Sequence, residues 1–177
     1  MVDNTNCKLI LLYVLDKIEI PLERDLLLSI CYYDNKWLLY HEATEAITQL
    51  EAVGFIHCDF SNKQYFYSIT PKGRQCLASF YTRIHNSIRE SISKYAKENR
   101  LNLRKKQELF RDYFQNHDGT YTISLKIFES KRGKALDKAL LDLKMVVDDR
   151  DQARYVYENW EDKAAKIYEL LLDNLVE

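Results

Sequence analysis

The chain has 177 residues, enough for one large domain or two small ones, and its 46% hydrophobic content excludes global disorder. Its 26 basic and 27 acidic residues leave a net charge of -1, which excludes a uniformly basic nucleic-acid coat. No run of 18 apolar residues exists, so no membrane span or membrane partner is expected.

Met1-Val-Asp-Asn-Thr-Asn lacks the basic start and apolar core of a secretory signal, so the expected compartment is the cytoplasm. Thiols stay reduced there. Cys7, Cys31, Cys58 and Cys76 form no Cys-x-x-Cys pair and are expected as small buried side chains. The His57-Cys58 dipeptide is too little for a zinc site.

In chain order, Cys7 to Ile18 reads as a helix with a broad apolar face of Leu9, Ile10, Leu12, Tyr13 and Val14. Pro21 can open a second helix, and Leu22 to Tyr33 carries Leu26, Leu27, Ile30 and Cys31 at helical spacing. Asp34-Asn35-Lys36 is a turn. Tyr40 to Val53 is a third helix, with Ala43, Ala46, Ile47 and Leu50 inward and Gly54 as its C-terminal cap. The period then changes to two: Ile56, Cys58 and Phe60 form one strand, Ser61-Asn62-Lys63 a turn, and Tyr65, Tyr67 and Ile69 a second strand. Thr70 caps a fourth helix that Pro71 begins, with Leu77 and Phe80 inward.

Ile84, Ile88, Ile92, Tyr95, Asn99 and Leu103 run three or four apart along a polar helix. Asn99 interrupts the stripe and marks where that helix can break. From Leu109 the period is two again, through Phe110 and Phe114 to His117-Asp118-Gly119-Thr120, a hairpin signal. Tyr121 to Ile127 and Ala139 to Val147 supply two further strands. Asp149 and Gln152 resemble a capping box for a last helix, whose stripe runs from Ala153 through Trp160 and Ala164 to Leu171 and Leu175.

The near-zero total charge hides a division. Residues 1–80 hold seven basic and ten acidic side chains, residues 81–112 nine and four, and residues 113–177 ten and thirteen. Two acidic lobes flank a basic middle. The expected organisation is therefore an α+β chain of three parts: residues 1–82, a linking or dimerisation helix over 83–108, and a small lobe over 109–177. That lobe is expected as a three-stranded antiparallel sheet covered by one helix.

Three helices, a two-stranded wing and a returning helix describe a winged helix-turn-helix, in which the third helix normally reads DNA. Tyr65-Phe-Tyr-Ser-Ile-Thr-Pro-Lys-Gly-Arg-Gln-Cys-Leu at 65–77 resembles the wing strand and following helix of PadR-like and MarR-like regulators. The whole chain resembles an uncharacterised bacterial winged-helix family. The likeness rests on Lys-Leu-Ile-Leu-Leu-Tyr-x-Leu-Asp-Lys-Ile at 8–18, Ile-Pro-Leu at 20–22, Tyr-Ser-Ile-Thr at 67–70 and the late strand with its Trp helix. The resemblance implies a winged-helix domain, a C-terminal lobe of unknown role and a transcriptional regulator, with no catalytic residues.

The DNA-contacting set expected on this reading is His41, Glu42, Thr44, Glu45, Thr48 and Gln49 on the third helix, with Lys63, Lys72 and Arg74 beside it. The third helix carries three Glu and no Lys or Arg, although phosphate neutralisation dominates DNA affinity. Arg83, Arg89, Lys94, Lys97, Arg100, Arg104, Lys105, Lys106 and Arg111 form the basic segment, either a solvated face or a source of phosphate contacts in a dimer. Dimerisation is expected through Ile84, Ile88, Ile92, Tyr95 and Leu103. Expected partners are double-stranded DNA, a second copy of the chain and a small-molecule effector of unknown identity.

Catalysis has little support. No Gly-x-Ser-x-Gly, Gly-x-Gly-x-x-Gly or His-Glu-x-x-His is present, and His41 with Glu45 makes only two ligands. No cofactor or metal is expected. Lys131-Arg132-Gly133-Lys134 lacks the parts of a P-loop. The aromatic residues Tyr113, Phe114, Tyr121, Phe128, Tyr155, Tyr157, Trp160 and Tyr168 are either core or the lining of a pocket. The alternative to a DNA-binding regulator is a protein-interaction module that keeps the scaffold, suggested by the acidic third helix.

Overall fold

A computed structural model describes residues 4–61, 63–129 and 138–176. The fold is mixed α and β, with two three-stranded antiparallel sheets among the described residues. The chain forms two compact units, which divide between Leu101 and Asn102.

The first unit is organised around α1 (Asn4–Ile18). Leu9, Ile10, Leu11, Leu12, Val14, Leu15 and Ile18 are all buried on it, so this helix is apolar on most of its circumference. It packs against α3 (Tyr40–Ala52), α4 (Pro71–Phe80) and strand β3 (Gln64–Ile69).

The second helix differs from the sequence expectation. Leu22–Glu23 is a short strand, β1, and α2 begins only at Arg24 and ends at Leu28. Leu22 pairs with Tyr67 and Glu23 with Phe66, so backbone pairing with β3 overrides the helix start expected at Pro21. The Glu23 carboxylate then caps α2 by accepting from the N–H groups of Asp25 (3.0 Å) and Leu26 (3.1 Å). Ser29–Asp34 continues with the wider winding of a π-helix.

Strands β2 (Ile56–Ser61) and β3 form the expected hairpin, and β1 adds to its far side, giving the order β1-β3-β2. Gly54 at φ 76° ends α3, as the sequence indicates. Thr70 caps α4 by accepting from the Gly73 N–H at 3.0 Å. Leu77 is buried on α4, but Phe80 is exposed rather than inward. Helix α5 (Asn86–Glu108) runs through Asn99 without a break, with the Asn99 side chain donating to the Tyr95 carbonyl one turn back (3.0 Å).

In the second unit, β4 (Leu109–Gln115), β5 (Tyr121–Phe128) and β6 (Ala139–Val147) lie in sequence order. Asp118 accepts from the Thr120 N–H and hydroxyl in the β4–β5 turn, which holds its carboxyl below the usual range. Helix α6 (Arg150–Leu175) starts on Asp149, which accepts from the Gln152 N–H at 2.9 Å. Ile123, Leu125, Ala153, Trp160 and Ala164 form the core between sheet and helix. The Lys131–Lys134 loop lies outside the described residues. No helix among the described residues is long and apolar enough to cross a membrane.

Candidate nucleic-acid interface

Amphipathic spacing positions α3. Ala43, Ala46, Ile47 and Leu50 face the core, which leaves His41, Glu45 and Thr48 exposed and Glu42, Thr44 and Gln49 half-buried. Several of these groups already have local partners. Glu42 accepts from the Leu39 N–H at 2.9 Å and so closes the helix start. The Thr44 hydroxyl donates to the Tyr40 carbonyl (2.8 Å) and the Thr48 hydroxyl to the Thr44 carbonyl (3.1 Å). Glu45 accepts from Gln49 (2.7 Å) and Asn4 (3.2 Å). The Gln49 amide is thus held along the helix surface.

The three flanking cations divide. Lys63 is exposed at the turn between β2 and β3, with φ 62°. Lys72 donates to the Val53 carbonyl at the end of α3 (3.0 Å) and lies over the Phe55 ring (5.3 Å). There a cation satisfies a terminal carbonyl and the negative end of the helix dipole. Arg74 pairs with Asp16 at 3.4 Å. Lys36, which the sequence presents only as a turn residue, is exposed with φ 54° in the connection just before α3. Beyond its place in that turn, no periodic signal in the sequence marks it.

Exposed apolar side chains lie beside the same surface. Tyr33 is exposed in the π-helical segment before α3, Leu39 and Tyr40 at the start of α3, and Phe60 and Tyr65 on the hairpin, their rings 4.9 Å apart.

The stripe expected for dimerisation is largely spent inside one chain. Ile84, Ile92 and Leu103 are only 1%, 1% and 3% exposed, and Ile88 and Tyr95 are half-buried. Tyr95 packs edge-on against Trp37 (ring centroids 5.7 Å), whose indole N–H donates to Ser91 (3.0 Å). The arginines of the basic segment are likewise engaged. Arg89 donates to the Ile84 carbonyl (3.2 Å), Arg100 to the Lys17 carbonyl, and Arg104 pairs with Glu108 (2.7 Å). Arg111 donates to the Tyr157 carbonyl (2.8 Å), stacks over its ring (4.5 Å) and pairs with Glu161 (3.3 Å). Lys94, Lys97, Lys105 and Lys106 remain on the surface.

An apolar recess of about 200 Å³ lies between α1, α3 and α4, lined by Leu9, Leu12, Leu50, Phe55, Cys76 and Phe80. The C-terminal aromatics do not converge on one cavity. Trp160 and Phe128 are buried, Tyr113 packs on Tyr157 (5.6 Å), and Phe114 and Tyr155 are exposed. No group of three His, Cys, Asp or Glu suited to a metal ion occurs among the described residues.

The family model described as "Domain of unknown function (DUF4364)" matches residues 7–175. The chain belongs to the DUF4364 family. No curated protein matches it. The DUF4364 match spans both units, from Cys7 in α1 to Leu175 at the end of α6, so the family covers the α3 surface and the C-terminal sheet alike.

Proposed function

We propose that the first unit is a winged helix-turn-helix and that the protein is a cytoplasmic transcriptional regulator binding double-stranded DNA as a homodimer. The observation that carries this reading is the β1-β3-β2 sheet. A two-residue strand between the first two helices completes the wing, with α3 presenting a polar face beside the hairpin. A helix-turn-helix reader inserts such a face in the major groove and sets its wing on the backbone.

Electrostatics makes the reading specific. With no Lys or Arg on α3, phosphate contacts fall to Lys36 before the helix and Lys63 at the hairpin turn. Lys72 and Arg74 hold the protein's own groups, and so drop behind these two. Two such lysines per copy imply a shallow salt dependence, a log–log slope of about -4 for a dimer.

Fluorescence anisotropy on DNA from the gene's own upstream region, at several salt concentrations, tests this. Lys36→Glu and Lys63→Glu are expected to weaken binding to every sequence and to reduce the slope by about one per lysine in each copy. Absence of wild-type binding at low salt overturns it.

A second reading is a protein-interaction module on the same scaffold. It is favoured by the exposed Tyr33, Leu39 and Tyr40 beside an acidic helix, since exposed aromatics next to depleted positive charge suit a protein partner better than phosphate. Tyr40→Ala with Glu45→Lys is expected to abolish partner recovery on that reading and to leave it unaltered on the first.

A further inference from the structure

The sheet of the second unit ends on β6. Among the described residues no strand lies beyond it, so one side of its backbone has no ladder partner there. Helix α6 packs more on β4 and β5 than on β6. Leu140, Met145 and Val146 are exposed, the last at 65%, and Leu141 and Leu143 are only half-buried. An apolar edge of this kind is a template for a further strand. The opposite edge, β4, is blunted locally, because the Asp112 carboxylate takes up the Tyr113 N–H at 2.8 Å.

The side chains of β6 indicate which strand fits. Asp142 and Lys144 stand opposite Lys126 and Ser124 on one face of the sheet. Leu141, Leu143 and Met145 stand opposite Ile127, Leu125 and Ile123 on the face that α6 covers. A second β6 laid antiparallel, with a two-fold axis through Leu143 and perpendicular to the sheet, keeps both faces continuous. It sets Asp142 of each copy opposite Lys144 of the other, and Leu141 opposite Met145. The neighbouring registers that keep the faces set Asp142 against Asp142 or Lys144 against Lys144, so charge selects this one. The irregularity beside Phe128 falls outside residues 141–145.

We propose that β6 pairs edge to edge with β6 of a second copy, joining the second-unit sheets of both copies into one. A symmetric interface of this kind uses one patch twice. The inference rests on the homodimer part of the reading above and is measured without DNA. Such a ladder buries less than a standard interface of about 1,600 Å², so association is weak, with a Kd of roughly 1 to 100 µM.

Sedimentation equilibrium of the full chain, up to roughly 0.2 mM, tests the proposal. A monomer–dimer equilibrium is expected. Asp142→Lys and Lys144→Glu each set like charges opposite one another at both symmetric positions, and each weakens the dimer about ten-fold. An equimolar mixture of the two variants sets lysines against acids throughout and restores wild-type association, which a folding defect in either variant would not do. Asp142 also pairs with Lys126 at 3.6 Å, so thermal unfolding of each variant is followed alongside. A monomer at the highest concentration overturns both this proposal and the homodimer reading. A dimer that both substitutions leave intact overturns the β6 interface alone. Folded variants that fail to recover on mixing overturn that interface as well.

Discussion

The carbonyl oxygen of Phe55 occupies the space where a Cβ on Gly73 would stand. The contact lies at the joint between the hairpin and α4, which Thr70 ties together. The Thr70 N–H donates to the same Phe55 carbonyl (3.1 Å), and its hydroxyl reaches the carbonyls of Gly54 (2.8 Å) and Phe55 (3.0 Å). The Ile-Thr-Pro-Lys-Gly run at 69–73 is therefore a structural joint. Ile69 packs, Thr70 ties, Pro71 starts the helix, Lys72 holds the end of α3 and Gly73 permits the close approach.

Gly73→Ala is expected to destabilise the first unit by about 2 to 3 kcal/mol, because the obstruction is main chain and has nowhere to move. Gly119→Ala, at φ 89° in open space, costs only the backbone strain of about 1 kcal/mol. Urea midpoints of the two variants distinguish steric from conformational cost.

Glu42 and Glu45 look equivalent on the acidic face of α3 and are not. Glu42→Ala removes the acceptor for the Leu39 N–H and is expected to cost about 1 kcal/mol. Glu45→Ala removes only surface contacts and stays within about 0.5 kcal/mol. Thermal unfolding measures both, and charge reversal at Glu45 is the cleaner probe of partner binding.

Arg111→Lys is expected to destabilise the second unit by about 1 to 2 kcal/mol. A guanidinium donates to the Tyr157 carbonyl, stacks on its ring and meets Glu161 at once; an ammonium cannot hold that geometry. Arg111→Met, which keeps the stem, separates lost packing from lost charge in the same unfolding measurement.

Burial pushes the Cys31 thiol up to about 12, from 9.0. The folded chain keeps this proton where the unfolded chain loses it, so stability is full below pH 9 and declines as pH rises toward about 12. Tyr67, buried and likewise raised to about 12, adds to the decline above pH 10. Urea midpoints at about pH 8 and about pH 10.5 are expected to differ, and Cys31→Ala is expected to reduce the difference. An unchanged difference would sink the assignment to Cys31.

Local chemistry made much of the fold legible. The 3.6-residue stripes of α1, α3 and α6, the period-two strands, and the caps at Gly54, Thr70 and Asp149 each act within a few residues. The candidate site was legible as a set of positions but not as a set of available groups. His41, Glu45, Thr48 and Lys63 are exposed, yet Glu45 and Thr48, like Lys72, Arg74 and Glu42, already bond within the protein. Lys36 stood in a turn whose neighbours in space no spacing rule reveals.

The sequence alone carries a balanced charge of 26 basic and 27 acidic residues, a basic middle, alternating helix and strand periods, and a third helix without cations. Those properties follow from composition and period. Tertiary structure decided that Leu22–Glu23 is a strand, since a two-residue strand has no period and exists only through its pairing with Tyr67 and Phe66. It also turned the Ile84–Leu103 stripe inward and left the end of α6 uncovered. A stripe reports that a helix has an apolar side, and only the packing of the other elements determines whether that side is already filled.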